Sequence, residues 1–410
     1  MQKKLIALAI AGLASSAAFA QTNVVIYGVA DIFYANLQSD QTAVGIKDAK
    51  FSGLIGGGLS GSRLGFRATE DLGGGWSAGA LYEFGTLNPD GAGGSAAAVG
   101  TAGAAGTSGM AAVRQTYVHL TSTNWGAFQA GRIYVAGTNA AAKFDPEGAS
   151  AFGPVSRITN GLGLSIDGAG GNNARVNNSL AWLSPNWKGF TAQVQYAFGE
   201  NGEQSVGGGG SDDARMWGLG LDYTNGPMAI GFAYNDWSDY GGTSNAVTSV
   251  EKEMTEWFIG ASYDFGMAKV TASYQDFDMD NMTTAAAQGL TGAGVTGVAG
   301  AKSEGDIWSL GVIVPVFKAG AVTLSYASLD RSTRTATGAA KMGADADGWG
   351  ITYKHNLSKR TTAYVGYTKL DNDNKLNPLS SLGIAAAATL AAPSAGQDSS
   401  GFGMGVRHTF

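Results

Sequence analysis

Polar and apolar residues alternate with a period of two over nearly the whole chain, and helical spacing is scarce. Phe190, Ala192, Val194, Tyr196 and Phe198 fall in one row, with Thr191, Gln193 and Gln195 in the other. Val270, Ala272 and Tyr274 oppose Thr271, Ser273 and Gln275, and Trp308, Leu310, Val312 and Val314 oppose Ser309, Gly311 and Ile313. Successive side chains of a strand point to opposite faces, so each run reads as a strand of about ten residues with one apolar face. Sixteen such segments begin near residues 24, 52, 76, 113, 127, 174, 190, 214, 228, 254, 268, 305, 320, 347, 361 and 400. After the first twenty residues no stretch reaches 18 apolar residues in a row, although 44 % of the chain is hydrophobic. If such a chain crosses a bilayer, it must do so as a closed barrel, because only helices and closed barrels satisfy their own backbone in lipid.

The connectors sort by size. Short ones lie at 71–75, 122–126, 185–189, 224–227, 264–267, 316–320 and 356–360. Long ones lie between them, at about 37–51, 86–112, 135–173, 199–213, 238–253, 278–304, 330–346 and 371–399. One rim of a barrel would therefore carry tight turns and the other long loops, the layout of an outer-membrane barrel with periplasmic turns and extracellular loops. The expected fold is all-β, a 16-stranded antiparallel transmembrane barrel.

Charge and aromatic placement agree with this. Asp31, Arg63, Arg67, Glu83, Asp222, Glu256, Asp264, Lys269, Lys354 and Arg407 all fall on the parity opposite the apolar row. A cation facing lipid at the midplane would cost about 2–4 kcal/mol, so these belong to a watery interior. Arg114 and Arg132 sit on the apolar parity near the loop ends, where a bulge or an early strand end could turn them inward. Trp76, Trp125, Trp187, Tyr223, Tyr263 and Phe317 fall beside the short turns, and Trp217, Trp257, Trp308, Trp349, Tyr34 and Phe198 towards the long loops. Two aromatic girdles are expected at the two interfaces. The strand pattern continues through GVRHTF to Phe410, as it must where the last strand closes onto the first.

Residues 1–20 carry Lys3 and Lys4, an apolar run from Leu5 and an Ala18-Phe19-Ala20 ending, the pattern of a cleavable secretory signal peptide. Residues 21–410 are read as one barrel domain. There is no cysteine, so no disulfide framework or thiolate chemistry. The net charge of −6 speaks against a nucleic-acid partner. The Ala/Gly-rich stretches 88–110, 284–303 and 385–396 read as weakly ordered loops.

No catalytic or metal constellation assembles. His119, His355 and His408 are far apart, and no H-E-x-x-H or G-x-S-x-G pattern occurs. Gly56-x-Gly58-x-x-Gly61 matches a dinucleotide fingerprint but lacks the strand-then-helix setting. No cofactor is expected. The third long connector, about 135–173, holds Phe144, Phe152 and Ile158 among small residues and can fold back against a wall; an external, solvated loop is the alternative. Lys143, Asp145 and Glu147 are its compact charge group. Arg63, Arg67, Arg114, Arg132 and Arg175 would form a basic strip on the facing wall. Opposed charges at a constriction set ion preference, here towards anions, with the overall negative charge arguing weakly the other way.

Several stretches together resemble the Gram-negative general porins, in particular the trimeric beta-proteobacterial and neisserial type. They are VVIYGVADIFY, SRLGFRATEDLGGGWSAGALYEFG, RQTYVHL, GAFQAGRIY, FDPEG, RVNNSLAWLSPNWKGF, HNLSKRTTAYVGY and the closing GVRHTF. The resemblance implies a homotrimer in the outer membrane among lipid and lipopolysaccharide, one pore per subunit, with the third loop folded into the lumen. It implies passive diffusion of ions and small hydrophilic solutes. Arg63, Arg114 and Arg175 would be the basic constriction residues and Asp145 and Glu147 the acidic ones. Phe410 would be read by the outer-membrane assembly machinery. Gly148 departs from the family, which usually has an aromatic there. A barrel acting as an adhesin or surface antigen through its long loops is the competing reading.

Overall fold

In the computed structural model the described residues are 23–40, 48–85, 112–162, 164–166, 174–199, 215–238, 253–282, 301–334, 342–343, 345–372 and 398–410. The expected signal peptide, the three Ala/Gly-rich stretches and the end of the third loop fall outside them in whole or in part.

The strands are β1 (Asn23–Ser39), β2 (Ala49–Gly56), β3 (Arg63–Gly73), β4 (Trp76–Gly85), β5 (Ala112–Ser122) and β6 (Gly126–Tyr134). Two helices follow, α1 (Thr138–Phe144) and α2 (Pro154–Leu162). Then come β7 (Arg175–Leu183), β8 (Phe190–Ala197), β9 (Arg215–Asn225), β10 (Met228–Ser238), β11 (Glu253–Asp264) and β12 (Lys269–Met282). The chain ends with β13 (Ala301–Val316), β14 (Gly320–Arg334), β15 (Met342–Gly343), β16 (Ala346–Asn356), β17 (Thr361–Asn372) and β18 (Ser399–Thr409). All join one antiparallel sheet, closed by β1 against β18 from Val29↔Thr409 to Ser39↔Ser399.

The eighteen segments make sixteen staves. β2 and β3 pair with successive stretches of β1 and form one interrupted stave. β15 and β16 both pair with β14, so they share another. The expected continuous second strand is thus broken at residues 57–62, the small-residue run Gly57-Gly58-Leu59-Ser60-Gly61-Ser62 that ends the alternation. With few side chains to bury, this run has little to hold it in a flat ladder.

Register puts the apolar row outside. Val118, Leu120, Phe128, Leu180, Val194, Ile259, Leu310, Leu324 and Met404 are exposed, although all are large and apolar. Towards the long-loop rim, aromatic pairs recur on that face: Trp217–Tyr234, Trp257–Tyr274, Trp308–Tyr326 and Trp349–Tyr367, with ring centroids 4.9–5.2 Å apart. A contiguous exposed apolar band flanked by aromatics has no stable place in water; it fits a hydrocarbon slab. The alternate residues face in, and many are small or polar, such as Thr271, Ser309, Thr323, Thr352 and Thr368. Among the described residues no helix is long and apolar enough to cross a membrane.

Candidate functional site

The chain leaves the wall at Tyr134, at the end of β6, and rejoins it at Arg175, and the described residues between them fold inside the barrel. Val135, Ala136, Phe144, Phe152, Ile158, Leu164 and Ile166 are each at most 1 % exposed. The external-loop alternative is therefore excluded for the described part of this connector.

Its anchors take three patches of the inner wall. Phe144 closes α1 and packs with Ala229 and Ala233 of β10 and Phe258 of β11. Its ring lies so close to the wall that a Cβ on Gly260 would stand 2.5 Å from the ring. Phe152 meets Phe33 and Tyr364 edge-on, at 6.0 and 6.1 Å between centroids. Ile158 and Leu162 of α2, with Leu164, join Trp237, Met254, Phe277, Ile307, Leu329 and Leu370. Apolar burial at about 25 cal/mol per Å² makes these patches the main force holding the loop.

Polar fasteners set its exact course. Glu256 of β11, 1 % exposed, accepts bonds from Ser165 N at 3.0 Å, Ile166 N at 3.1 Å, Gln275 Nε2 at 3.0 Å and the Ser165 hydroxyl. Asp145 accepts from Glu147 N (2.9 Å), Ala149 N (2.8 Å) and Ser156 Oγ (2.7 Å). Gly148 donates to Asp145 O at 3.0 Å with φ of 64°, in the left-handed region where glycine is unstrained. That accounts for glycine at this position.

The loop covers the inner wall from β10 round to β17 and β1. Three arginines stand on the staves left open, whereas Arg331 of β14 and Lys354 of β16 lie on covered staves. Arg114 Nε donates to Glu83 Oε1 and its Nη2 to Tyr134 OH, both at 2.8 Å. Arg175 Nη2 donates to the same hydroxyl at 2.8 Å, and its guanidinium lies 4.5 Å from the centre of the Tyr134 ring. Tyr27 OH donates to Glu83 Oε2 at 3.0 Å. Arg63 Nε donates to Gly61 O at 3.1 Å and lies within electrostatic range of Arg114 and Glu83. A register shift between Glu83 and Phe84 opposite β5 turns Arg114 inward despite its sequence parity.

The other predicted site residues are placed differently. Arg67 is exposed on β3, with its guanidinium 5.4 Å from the centre of the Tyr27 ring. Arg132 sits at the register shift between Gly131 and Ile133 and bonds to Val113 O at 3.2 Å and to the Asn177 side chain. The level strip of five arginines is thus a cluster of three, with two at its margins. Lys143 reaches Thr224 Oγ1 at 2.8 Å and Asp222 at 3.6 Å.

Asp145 and Glu147 do not face the opposite wall. Asp145 is 6 % exposed and Glu147 1 %. Asp145 spends its charge on the loop's own N–H groups, and Glu147 pairs with Lys354 of β16 at 3.2 Å. Burial pushes the Glu147 carboxyl above the ordinary range, and Lys354 pulls it the other way. A carboxylate that organises backbone donors cannot also stand free in the lumen. Phe410, 47 % exposed, exchanges two backbone bonds with Gly28, at 3.0 and 3.1 Å.

The sequence reading missed the partners: Glu83, Tyr27 and Tyr134 around the arginines, and Glu256 and Asp31 as fasteners. Inward parity marked Glu83, Glu256 and Asp31 as interior charges; their partners are distant in sequence and left no signal there. Among the described residues no group of three His, Asp or Glu side chains could hold a metal ion. The arrangement is a narrowed interior with guanidinium groups on one side and a packed loop on the other, suited to passing and sorting small charged solutes.

Comparison with known proteins agrees with this geometry. The family profile described as Gram-negative porin matches residues 7–375. Outer membrane porin protein 32 of Delftia acidovorans is 32 % identical over 417 residues, covering 100 % of both chains. An outer membrane porin of Bordetella pertussis is 28 % identical, over 90 % of this chain and 94 % of its own. Among solved structures, an anion-selective porin from Comamonas acidovorans superposes with a TM-score of 0.69 at 26 % identity, covering 95 % of this chain and 100 % of that one. The closed barrel with its inward third loop and the match along its length place this chain in the Gram-negative porin family, among the proteins of the outer membrane.

Proposed function

We propose that this chain is a general diffusion porin with anion preference: ions and small hydrophilic solutes cross passively through the water-filled barrel, without cofactor or catalytic turnover. The observation that carries the reading is the charge balance at the narrowed interior. Arg63, Arg114 and Arg175 cluster with Glu83 as their carboxylate neighbour, Arg175 being itself 7 % exposed and bonded to Tyr134, while Asp145 and Glu147 are buried where N–H donors and Lys354 balance their charge. Local charge in a confined passage outweighs the screened negative charge of the whole chain. The anion-selective porin from Comamonas acidovorans supports the sign. By family resemblance the unit is a homotrimer with one pore per subunit.

Reconstitution in a planar bilayer tests this. Trimers should open in steps, and a KCl gradient should give a reversal potential of anion-selective sign. Insertion without conductance sinks the porin reading. A cation-selective sign sinks the arginine cluster as the selectivity element.

A further inference from the structure

The break between β2 and β3 carries a role that neither strand pattern nor charge balance assigns. Residues 57–62 leave the ladder and form a shelf held from beneath by Asp31 of β1. The Asp31 carboxylate, 0 % exposed, accepts from Leu59 N at 2.8 Å, Ser60 N at 2.9 Å and the Tyr364 hydroxyl of β17. The Asp31 backbone is used as well. Its C=O accepts from Gly57 N at 2.8 Å and Ser62 Oγ at 3.1 Å, and its N–H donates to Ser62 Oγ at 3.0 Å. One buried aspartate thus fastens the whole shelf.

The shelf touches both halves of the constriction. Gly58 O accepts from Ala151 N at 2.8 Å, which fixes the tip of the third loop beside Phe152. Phe152 in turn packs on Tyr364, the same side chain that bonds Asp31. At the far end, Gly61 O accepts from Arg63 Nε, and a Cβ on Gly61 would lie 3.3 Å from Arg114 Nη1. The shelf therefore lies between the loop tip and the arginine cluster, with a bond or a close contact on each side.

We propose that residues 57–62 are a third element of the constriction, and that Asp31 and Tyr364 are positioning residues that set its aperture by fixing the loop tip relative to Arg63 and Arg114. Apolar packing alone tolerates small slides of a loop over a wall. A carboxylate taking three directed donors does not, because charge-assisted bonds are short and orientation-dependent. Loss of the tyrosine hydroxyl should let the tip and the shelf move apart in steps rather than unfold the barrel.

The inference rests on the porin reading, and the experiment separates the two. Tyr364→Phe keeps the ring that packs on Phe152 and removes only the hydroxyl; Asp31→Asn keeps the shape and removes the charge. Thr362→Val serves as control: Thr362 lies on the same strand and bonds Asn356 at 3.0 Å, away from the shelf. Single-channel currents and trimer melting are measured for all four proteins. Loss of one bond to a charged group shifts the ratio of latched to unlatched loop roughly 10- to 150-fold towards unlatched. Tyr364→Phe should therefore add subconductance levels and low-frequency noise at near wild-type melting temperature, and Thr362→Val should not. A single wild-type level with wild-type noise in Tyr364→Phe overturns the proposal, as does equal noise in Thr362→Val. If Asp31→Asn fails to assemble, Tyr364→Phe decides alone. A silent wild-type protein would refute the porin reading instead.

Discussion

Glu256→Ala removes the acceptor that holds the far end of the third loop. Ser165 N, Ile166 N, Gln275 Nε2 and the Ser165 hydroxyl would each lose a partner in a site that is 1 % exposed. A stranded buried donor costs about 1–3 kcal/mol, so for four donors the gross loss is about 4–12 kcal/mol. Removing the carboxylate also removes the cost of keeping a charge out of water, several kcal/mol, which offsets a large part of that gross figure and leaves a net loss of a few kcal/mol. Glu256→Gln keeps the volume and one acceptor oxygen, and Gln275 can turn its amide to meet the new NH2 group. Its loss should be nearer 1 kcal/mol, the difference between charge-assisted and neutral bonds. The deficit falls on the loop and not on the barrel ladder, so it appears as local opening. Limited proteolysis of folded trimers should cleave the third loop fastest in Glu256→Ala, slower in Glu256→Gln and slowest in wild type, with noisier conductance in the same order. Wild-type protection and current in Glu256→Ala would show that packing around Ile158 and Leu164 holds the loop unaided.

Other outcomes follow from the same geometry. Phe144→Ala empties the pocket formed by Ala229, Ala233 and Phe258 and should destabilise the inward loop by about 3–5 kcal/mol, read as increased protease access with the barrel intact. Arg175→Ala should move the reversal potential in a KCl gradient towards the cation side, whereas Glu83→Gln, which unmasks Arg114, should move it further towards the anion side; shifts of equal sign would contradict the charge balance proposed here. Deleting Phe410 removes the two backbone bonds to Gly28 at the closing seam and should reduce the yield of assembled trimer more than the conductance of trimers that do form.

The barrel was legible in the sequence because its determinants are local. Alternation at Phe190–Phe198 or Val270–Gln275 needs no partner to be read, and the strict order of short and long connectors follows from closing sixteen staves. The inward third loop was legible in part, since Phe144, Phe152 and Ile158 are too apolar for an exposed connector. Its charges were not. FDPEG looks the same whether Asp145 faces a lumen or binds the N–H groups of Glu147 and Ala149. The bulge that brings Arg114 inward, the break at residues 57–62 and the grip of Asp31 on Tyr364 all join residues distant along the chain. Side-chain periodicity reports which face a residue takes. Which groups meet across the barrel depends on register, bulges and loop packing, and only the closed tertiary structure supplies those.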